Sequence, residues 1–416
     1  MKIFCKFFAS FGSKQHSQRI LLRIPISIAQ LVFTFINIRG TLEYLGPNNY
    51  GQFATILGTS SLIAPILGFG MTFSILNYSA ELQAPYFRQK IAKYLTVLAL
   101  LLLLICGIVY FLYLNAIISI EFELVMFLGC LLCLNSIIWS VVGSHGWWLL
   151  SQFQFLISAI TYSFYLFKTD LITDLASALK FLLIGYGVSL VFGLFFLTLI
   201  FFQYRNIRVN PVSVTAQANA NVFYPFLLSI IYSLGTQLDI VIVANLLDFK
   251  SAALYQISLQ LFQPLVSILF AVAFPVRSKY RLLSNVEKVA QYKFNQKYFF
   301  YMGLVLFAIN IPLAYLAFPL LSLGKLTVPP LIFLFFAVNG ILSIVSYASS
   351  LIFSDSKDVF WIFRCEAQIL LFINLPASIV CTVVFGFVGP ILGTVVANII
   401  RIIVFNRKGL RRIDVS

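Results

Sequence analysis

Of the chain's 416 residues, 61% are hydrophobic and only 10% are charged, and the formal net charge is +15. A chain this apolar has too little polar surface to cover a water-soluble core. It reads as a helical membrane protein, in which each span needs about 20 apolar residues.

About twelve such stretches can be placed, at 21–38, 53–76, 94–114, 124–142, 147–167, 181–202, 223–247, 252–274, 298–318, 331–353, 369–387 and 390–406. The intervals at 114–124, 142–147, 247–252 and 387–390 are tight turns, and no stretch is left over for a soluble domain. With the N-terminus in the cytoplasm, 23 of the 28 Lys and Arg fall on that side, and Arg39, Lys168, Lys180, Lys250 and Lys325 fall opposite. That asymmetry is the positive-inside signature with both termini inside, and it removes the case for nucleic acid as the basic residues' partner. Met1–Ile20 has no small-residue cleavage site, so the first span is expected to be retained.

In chain order, the first span carries Arg23, Ser27, Gln30, Thr34 and Asn37 at intervals of four, three, four and three. That period places all five on one face of an α-helix. In hydrocarbon such a stripe must face protein or a wet cavity, since each unsatisfied polar group costs several kcal/mol. Ser and Thr alone would suggest only bonding between packed helices. Arg, Gln and Asn on the same stripe favour a cavity wall, with Arg39 extending the candidate lining at the outer end. Between Arg39 and Phe53 the sequence predicts a turn, in which Asn48 or Asn49 can cap the second helix and Tyr44 and Tyr50 suit the membrane interface.

Further along, Cys130-x-x-Cys133 lies inside an apolar span and reads as two small hydrophobes. With only His16 and His145 there is no predicted metal cluster, and no cofactor is expected. Glu121, Glu123, Asp170 and Asp174 read as solvated loop acids. The outer loops are short, the longest being roughly 168–180 and 319–330, so a polysaccharide polymerase with catalytic loop residues is disfavoured and no catalytic group is assigned.

Gln203–Asn221, with Pro211, reads as a cytoplasmic linker that divides the chain into lobes 1–209 and 210–416, six spans each. A shift of 202 residues lays Ser27 on Ser229, Gln30 on Tyr232, Thr34 on Thr236 and Asn37 on Asp239, and brings Pro65 near Pro264. The seventh span thus repeats the first span's polar register. Six spans per half gives both halves one orientation, related by a pseudo-two-fold axis along the membrane normal. The expected architecture is an all-α, V-shaped pair of six-helix lobes with Ser229, Tyr232, Thr236 and Asp239 across a central cavity from the first stripe. That is a transporter's layout. Asp239 reads as the only acid deep in a span and is the candidate coupling residue. Thr394, Asn398 and Arg401 form a stripe on the last span, and Arg23 and Arg401 are candidates for an anionic ligand through their planar forks of donors.

The segment Leu45-Gly46-Pro47-Asn48-Asn49-Tyr50-Gly51-Gln52-Phe53 resembles the L-G-P-x-x-Y-G-x-[FY] element of the Wzx-type polysaccharide flippases, in the multidrug/oligosaccharidyl-lipid/polysaccharide exporter (MOP) superfamily. Ile66-Leu67-Gly68-Phe69-Gly70-Met71 is similar to that family's apolar-x-Gly-apolar segment, and Leu238-Asp239-Ile240-Val241-Ile242 to its helix-seven element. The chain departs at Glu43 and Ile240, where members often carry basic residues. The resemblance implies translocation of an undecaprenyl-pyrophosphate-linked oligosaccharide between the leaflets of a bacterial plasma membrane. Membrane lipids, a polysaccharide polymerase and a chain-length regulator are its implied neighbours. A drug/cation antiporter of the same superfamily is the alternative.

Overall fold

In hydrocarbon a backbone can satisfy its N–H and C=O groups only internally, so long apolar stretches become helices. The computed structural model describes residues 14–68, 85–114, 120–143, 153–168, 171–203, 223–280, 285–350 and 359–414, and every regular element among them is helical. They are α1 (Lys14–Leu67), α2 (Pro85–Leu114), α3 (Ile120–Val142), α4 (Phe153–Phe167), α5 (Leu175–Gln203), α6 (Phe223–Leu246), α7 (Phe249–Tyr280), α8 (Asn285–Leu321), α9 (Pro330–Ser350), α10 (Val359–Ile369), α11 (Leu375–Phe385) and α12 (Gly389–Asp414). A π-helical turn, Leu370–Asn374, joins α10 to α11 without a break. Six helical segments among the described residues are long and apolar enough to cross a membrane, and the chain is an all-α, multi-pass membrane protein.

Two sequence expectations are corrected here. The turn expected over 39–53 is helical throughout apart from Gly46, whose φ of 73° and ψ of 171° split α1 into two arms. Pro47 starts the second arm directly, where its missing N–H costs nothing, so Asn48 and Asn49 do not cap the helix. The spans also extend beyond their apolar cores. α8 runs from Asn285 where the sequence suggested 298, and α10 from Val359 where it suggested 369.

By backbone contacts the chain divides into one compact unit of residues 32–241 and another of residues up to 31 with those from 242 onward. The expected boundary at 209/210, the linker 203–221 beyond Gln203, and Phe69–Met71 lie outside the described residues.

The unit of 32–241 has a core around buried Trp139, packed with Leu98, Leu102, Ile137 and Ile200. Cys130 and Cys133 are buried there as packing groups, as the sequence suggested. A second core gathers Phe53, Leu128, Tyr162 and Leu179. Polar side chains stitch helices together inside it. Trp139 Nε1 donates to Ser189 O at 3.2 Å, Asn135 Nδ2 to Tyr186 O at 2.9 Å, and Ser60 Oγ to Val125 O at 3.1 Å. At Asp174, expected as a solvated acid, the exposed carboxylate caps α5 by accepting from Ser177 N at 2.7 Å. Glu123 differs from that expectation. It is 9% exposed, set one turn into the apolar run of α3.

In the other unit the rings of Phe307, Phe333 and Phe336 surround that of Phe262 at 5.9–6.2 Å. α11 and α12 form a close hairpin turned at Gly386, with φ of 68°. Gly389 and Gly393, four residues apart on α12, let its backbone touch that of α11. This is the small-residue spacing by which membrane helices approach closely.

Candidate functional site

α1 is continuous from Lys14 to Leu45, so the backbone carries Arg23, Ser27, Gln30, Thr34 and Asn37 at helical spacing as expected. The side chains of Arg23 and Ser27 lie outside the described residues. Gln30 and Thr34 are half-buried and Arg39 is exposed. Asn37 is engaged inside its own unit: its Nδ2 donates to Ala159 O at 3.1 Å, and Ser163 Oγ donates to its Oδ1 at 2.6 Å. One turn on, Thr41 Oγ1 and Tyr162 Oη lie 3.0 Å apart, both side chains buried. The outer end of the stripe is thus a polar seam between α1 and α4, the helix-to-helix bonding that Ser and Thr alone would have suggested.

On α6, Ser229 is half-buried, while Tyr232 and Thr236 are exposed. Thr236 Oγ1 turns back to Tyr232 O at 3.1 Å. Asp239 is 6% exposed. α6 packs on the second arm of α1. Ser233 Oγ donates to Ser61 O at 2.9 Å, and a Cβ at Gly58 would come within 2.6 Å of Ile240 Cγ2. Ile240, which departs from the family's basic residue, is therefore buried in helix packing.

A polar assembly lies along α12. Thr394 Oγ1 donates to Asn374 Oδ1 at 3.4 Å, at the end of the π-helical turn. Ser378 Oγ donates to the same Oδ1 at 3.2 Å. Asn398, 2% exposed, donates through Nδ2 to Asn339 Oδ1 and Ser343 Oγ, each at 3.0 Å. Arg401 Nε donates to Glu366 Oε2 at 2.8 Å, and its Nη1 donates to Asn398 Oδ1. Farther along, Asn406 accepts from Tyr292 Oη, and from Gln296 Nε2 at 2.7 Å. The expected stripe Thr394, Asn398 and Arg401 is thus one side of a column whose partners come from α8, α9, α10 and the π-helical turn.

Glu366 corrects the expectation that Asp239 is the only deep acid. It is 1% exposed. The apolar span was expected to start at 369, which left Glu366 in the preceding loop. Its signal was present in the helical spacing of Ile362, Glu366 and Ile369, which are buried on one face. Chemically the column neutralises Glu366 with Arg401 and ties α12 to its neighbours through side-chain hydrogen bonds. It contains no nucleophile beside a base, which is the arrangement covalent catalysis needs.

No family model and no curated protein matches this sequence. Solved structures do. The chain is similar to a multidrug resistance MATE family transporter of the MOP superfamily in an inward-facing conformation, at TM-score 0.66 and 14% identity, over 95% of this chain and 98% of that one. Against an outward-facing conformation of such a transporter the TM-score is 0.62 at 15% identity, over 99% and 98% of the chains. A Vibrio cholerae MATE transporter matches at 0.61 and 13%, over 99% of each chain. The chain has the fold of these transporters from end to end.

Proposed function

We propose that this chain is an alternating-access transporter whose cargo is an undecaprenyl-pyrophosphate-linked oligosaccharide, moved from the inner to the outer leaflet of a bacterial plasma membrane. The observation that carries the transporter reading is the end-to-end likeness of one chain to structures described as inward-facing and as outward-facing. The cargo reading rests on the Leu45–Phe53 element, in which the motif glycine is the residue that breaks α1. A sugar–pyrophosphate head cannot enter hydrocarbon unaided, because its polar groups would lose water without replacement. Arg23 is the proposed fork-shaped donor for phosphate, joined by Arg401 through the part of its fork not engaged by Glu366 and Asn398, and Gln30, Thr34, Ser229, Tyr232 and Thr236 supply hydroxyl and amide groups for sugar. A polymerase and a chain-length regulator would act on the delivered repeat unit. The distribution of basic residues supports a cytoplasmic position for both termini.

The second reading is a drug/cation antiporter, favoured by the multidrug resistance role of similar transporters and by buried Asp239. Against it, the other acid deep on α10 is already matched by Arg401. Deleting the gene separates the two. Loss of surface polysaccharide with unchanged drug tolerance supports the flippase, and the reverse supports the antiporter. Asp239 is proposed as the coupling residue. Asp239→Asn, assayed in proteoliposomes, should lose the part of flipping that a pH gradient drives while retaining substrate binding. Full gradient-driven flipping would remove Asp239 from that role.

A further inference from the structure

The N-terminal part of α8 and the C-terminal part of α12 carry exposed cations that no site described above includes. Along α8, Tyr301, Val305, Ile309, Leu316 and Leu320 form an exposed apolar stripe at helical spacing. Lys297 and Lys293, both exposed, extend that same stripe by two turns. Along α12, Val396, Ile399 and Ile403 form a second exposed stripe, and exposed Arg407 is its next position. Each apolar stripe, about 28 Å of helix rise on α8 and about 10 Å on α12, therefore ends in cations.

The two ends are fixed to each other at that level. Gln296, beside Lys297, donates to Asn406, beside Arg407, at 2.7 Å. Gln296 also donates to Ser349 Oγ of α9 at 2.8 Å, and Tyr292 Oη donates to Asn406. Tyr292 and Ser349 are buried, and Asn295 beside them is 0% exposed. A side-chain network this deep holds the neighbouring backbones in one register, so the three cations are presented as an array. Ordinary snorkelling would keep each cation at the interface but would not lock two helices together beneath it.

We propose that Lys293, Lys297 and Arg407 form a binding site for the headgroup of an anionic glycerophospholipid, with its acyl chains along the two exposed stripes. Charge complementarity selects the class. Three cations around one phosphodiester favour a headgroup with no amine, and the continuous apolar stripes below require a ligand that carries chains. Glu287, the described acid of α8's first turn, stands about 9 Å of helix rise beyond Lys293, too far out to neutralise the array.

The test uses the full chain in nanodiscs of equimolar phosphatidylglycerol and phosphatidylcholine, extracted gently, with co-purifying lipid quantified. Wild type should retain phosphatidylglycerol in excess. Lys293→Gln/Lys297→Gln/Arg407→Gln should lower that excess about tenfold. Lys168→Gln/Lys180→Gln/Lys250→Gln removes the same charge from other exposed positions and should keep it. Lys293→Arg/Lys297→Arg/Arg407→Lys should keep it too, which separates lost charge from a failure to fold. Equal retention by wild type and the first variant would overturn the proposal. So would equal loss in both neutralised variants, or displacement of the lipid by soluble glycerol 1-phosphate at comparable concentration.

Discussion

Arg401 and Glu366 meet through one 2.8 Å bond between α12 and α10, with the arginine side chain 19% exposed and the acid 2%. Each charge makes the other tolerable in an apolar bundle. Removing one partner leaves an uncompensated buried charge and costs about 3 kcal/mol or more, whereas replacing both with apolar groups of similar size is close to neutral. Glu366→Ala should therefore lower the melting temperature of the detergent-solubilised protein markedly, and Glu366→Leu/Arg401→Met should recover most of it. A double variant as unstable as the single one would show that the pair does more than neutralise itself. The same logic bears on transport. Arg401→Ala tests phosphate recognition only when protein levels and melting temperature are reported beside it.

Gly46 makes a second, sharper prediction. Its φ of 73° with ψ of 171° lies in a region open essentially to glycine alone. Asparagine tolerates the left-handed helical region, which has a much smaller ψ, so it offers no relief here. Gly46→Ala and Gly46→Asn should each cost about 1–3 kcal/mol. Both should shift the angle between the arms of α1, read as the distance between spin labels at Val32 and Ile66, two exposed positions. An unchanged distance with unchanged stability would mean the break survives without glycine.

The helical class and most of the spans were legible because apolar length and helical period are one-dimensional signals. The motif glycine was legible too, since Gly-Pro marks a break. The geometry of that break was not. Gly40 and Gly51, which as sequence widen the expected turn, are both helical, and the turn collapses to a single residue. Polar stripes show which residues share a face but not what lies opposite. Asn37 has the same period as Gln30, yet it is spent on Ala159 and Ser163. Glu366 was lost at a boundary, because a charge three residues before an apolar run looks like a loop until α10 is seen to begin at Val359. Its partner Arg401 lies 35 residues away, a pairing no local pattern encodes.

Asp174 gives the pH dependence. The Ser177 backbone N–H, and then its hydroxyl, hold this carboxyl below the usual carboxylate range, with Lys180 adding to the effect. A lowered folded value means the cap's contribution is complete above about pH 4, the unfolded value, and is lost as the pH falls through the folded one. Amide exchange in the first turn of α5 should accelerate, relative to its intrinsic rate, as the pH drops through that window. Asp174→Asn, which caps without titrating, should flatten this dependence. If wild type and Asp174→Asn show the same profile, ionisation of Asp174 does not support the helix end.

The α11–α12 hairpin offers a comparison of two glycines with opposite expected signs. Alanine in a helix interior is ordinarily favoured over glycine by about 0.5–1 kcal/mol. At Gly187 of α5 an added Cβ meets nothing within 4 Å, so Gly187→Ala should raise the melting temperature. At Gly393 the added Cβ would come within 2.5 Å of the backbone nitrogen of Ser378, and backbone cannot swing aside as the end of a side chain can. Gly393→Ala must push α12 from α11, stretching the Thr394–Asn374 and Ser378–Pro390 bonds, each of which already spans 3.4 Å. It should lower the melting temperature despite the better helix propensity. Thr382, buried at the next contact of the hairpin, should become reactive to thiol reagents when replaced by cysteine in the Gly393→Ala protein but not in wild type. A gain in stability at Gly393 equal to that at Gly187 would mean that close backbone approach is not what holds this hairpin.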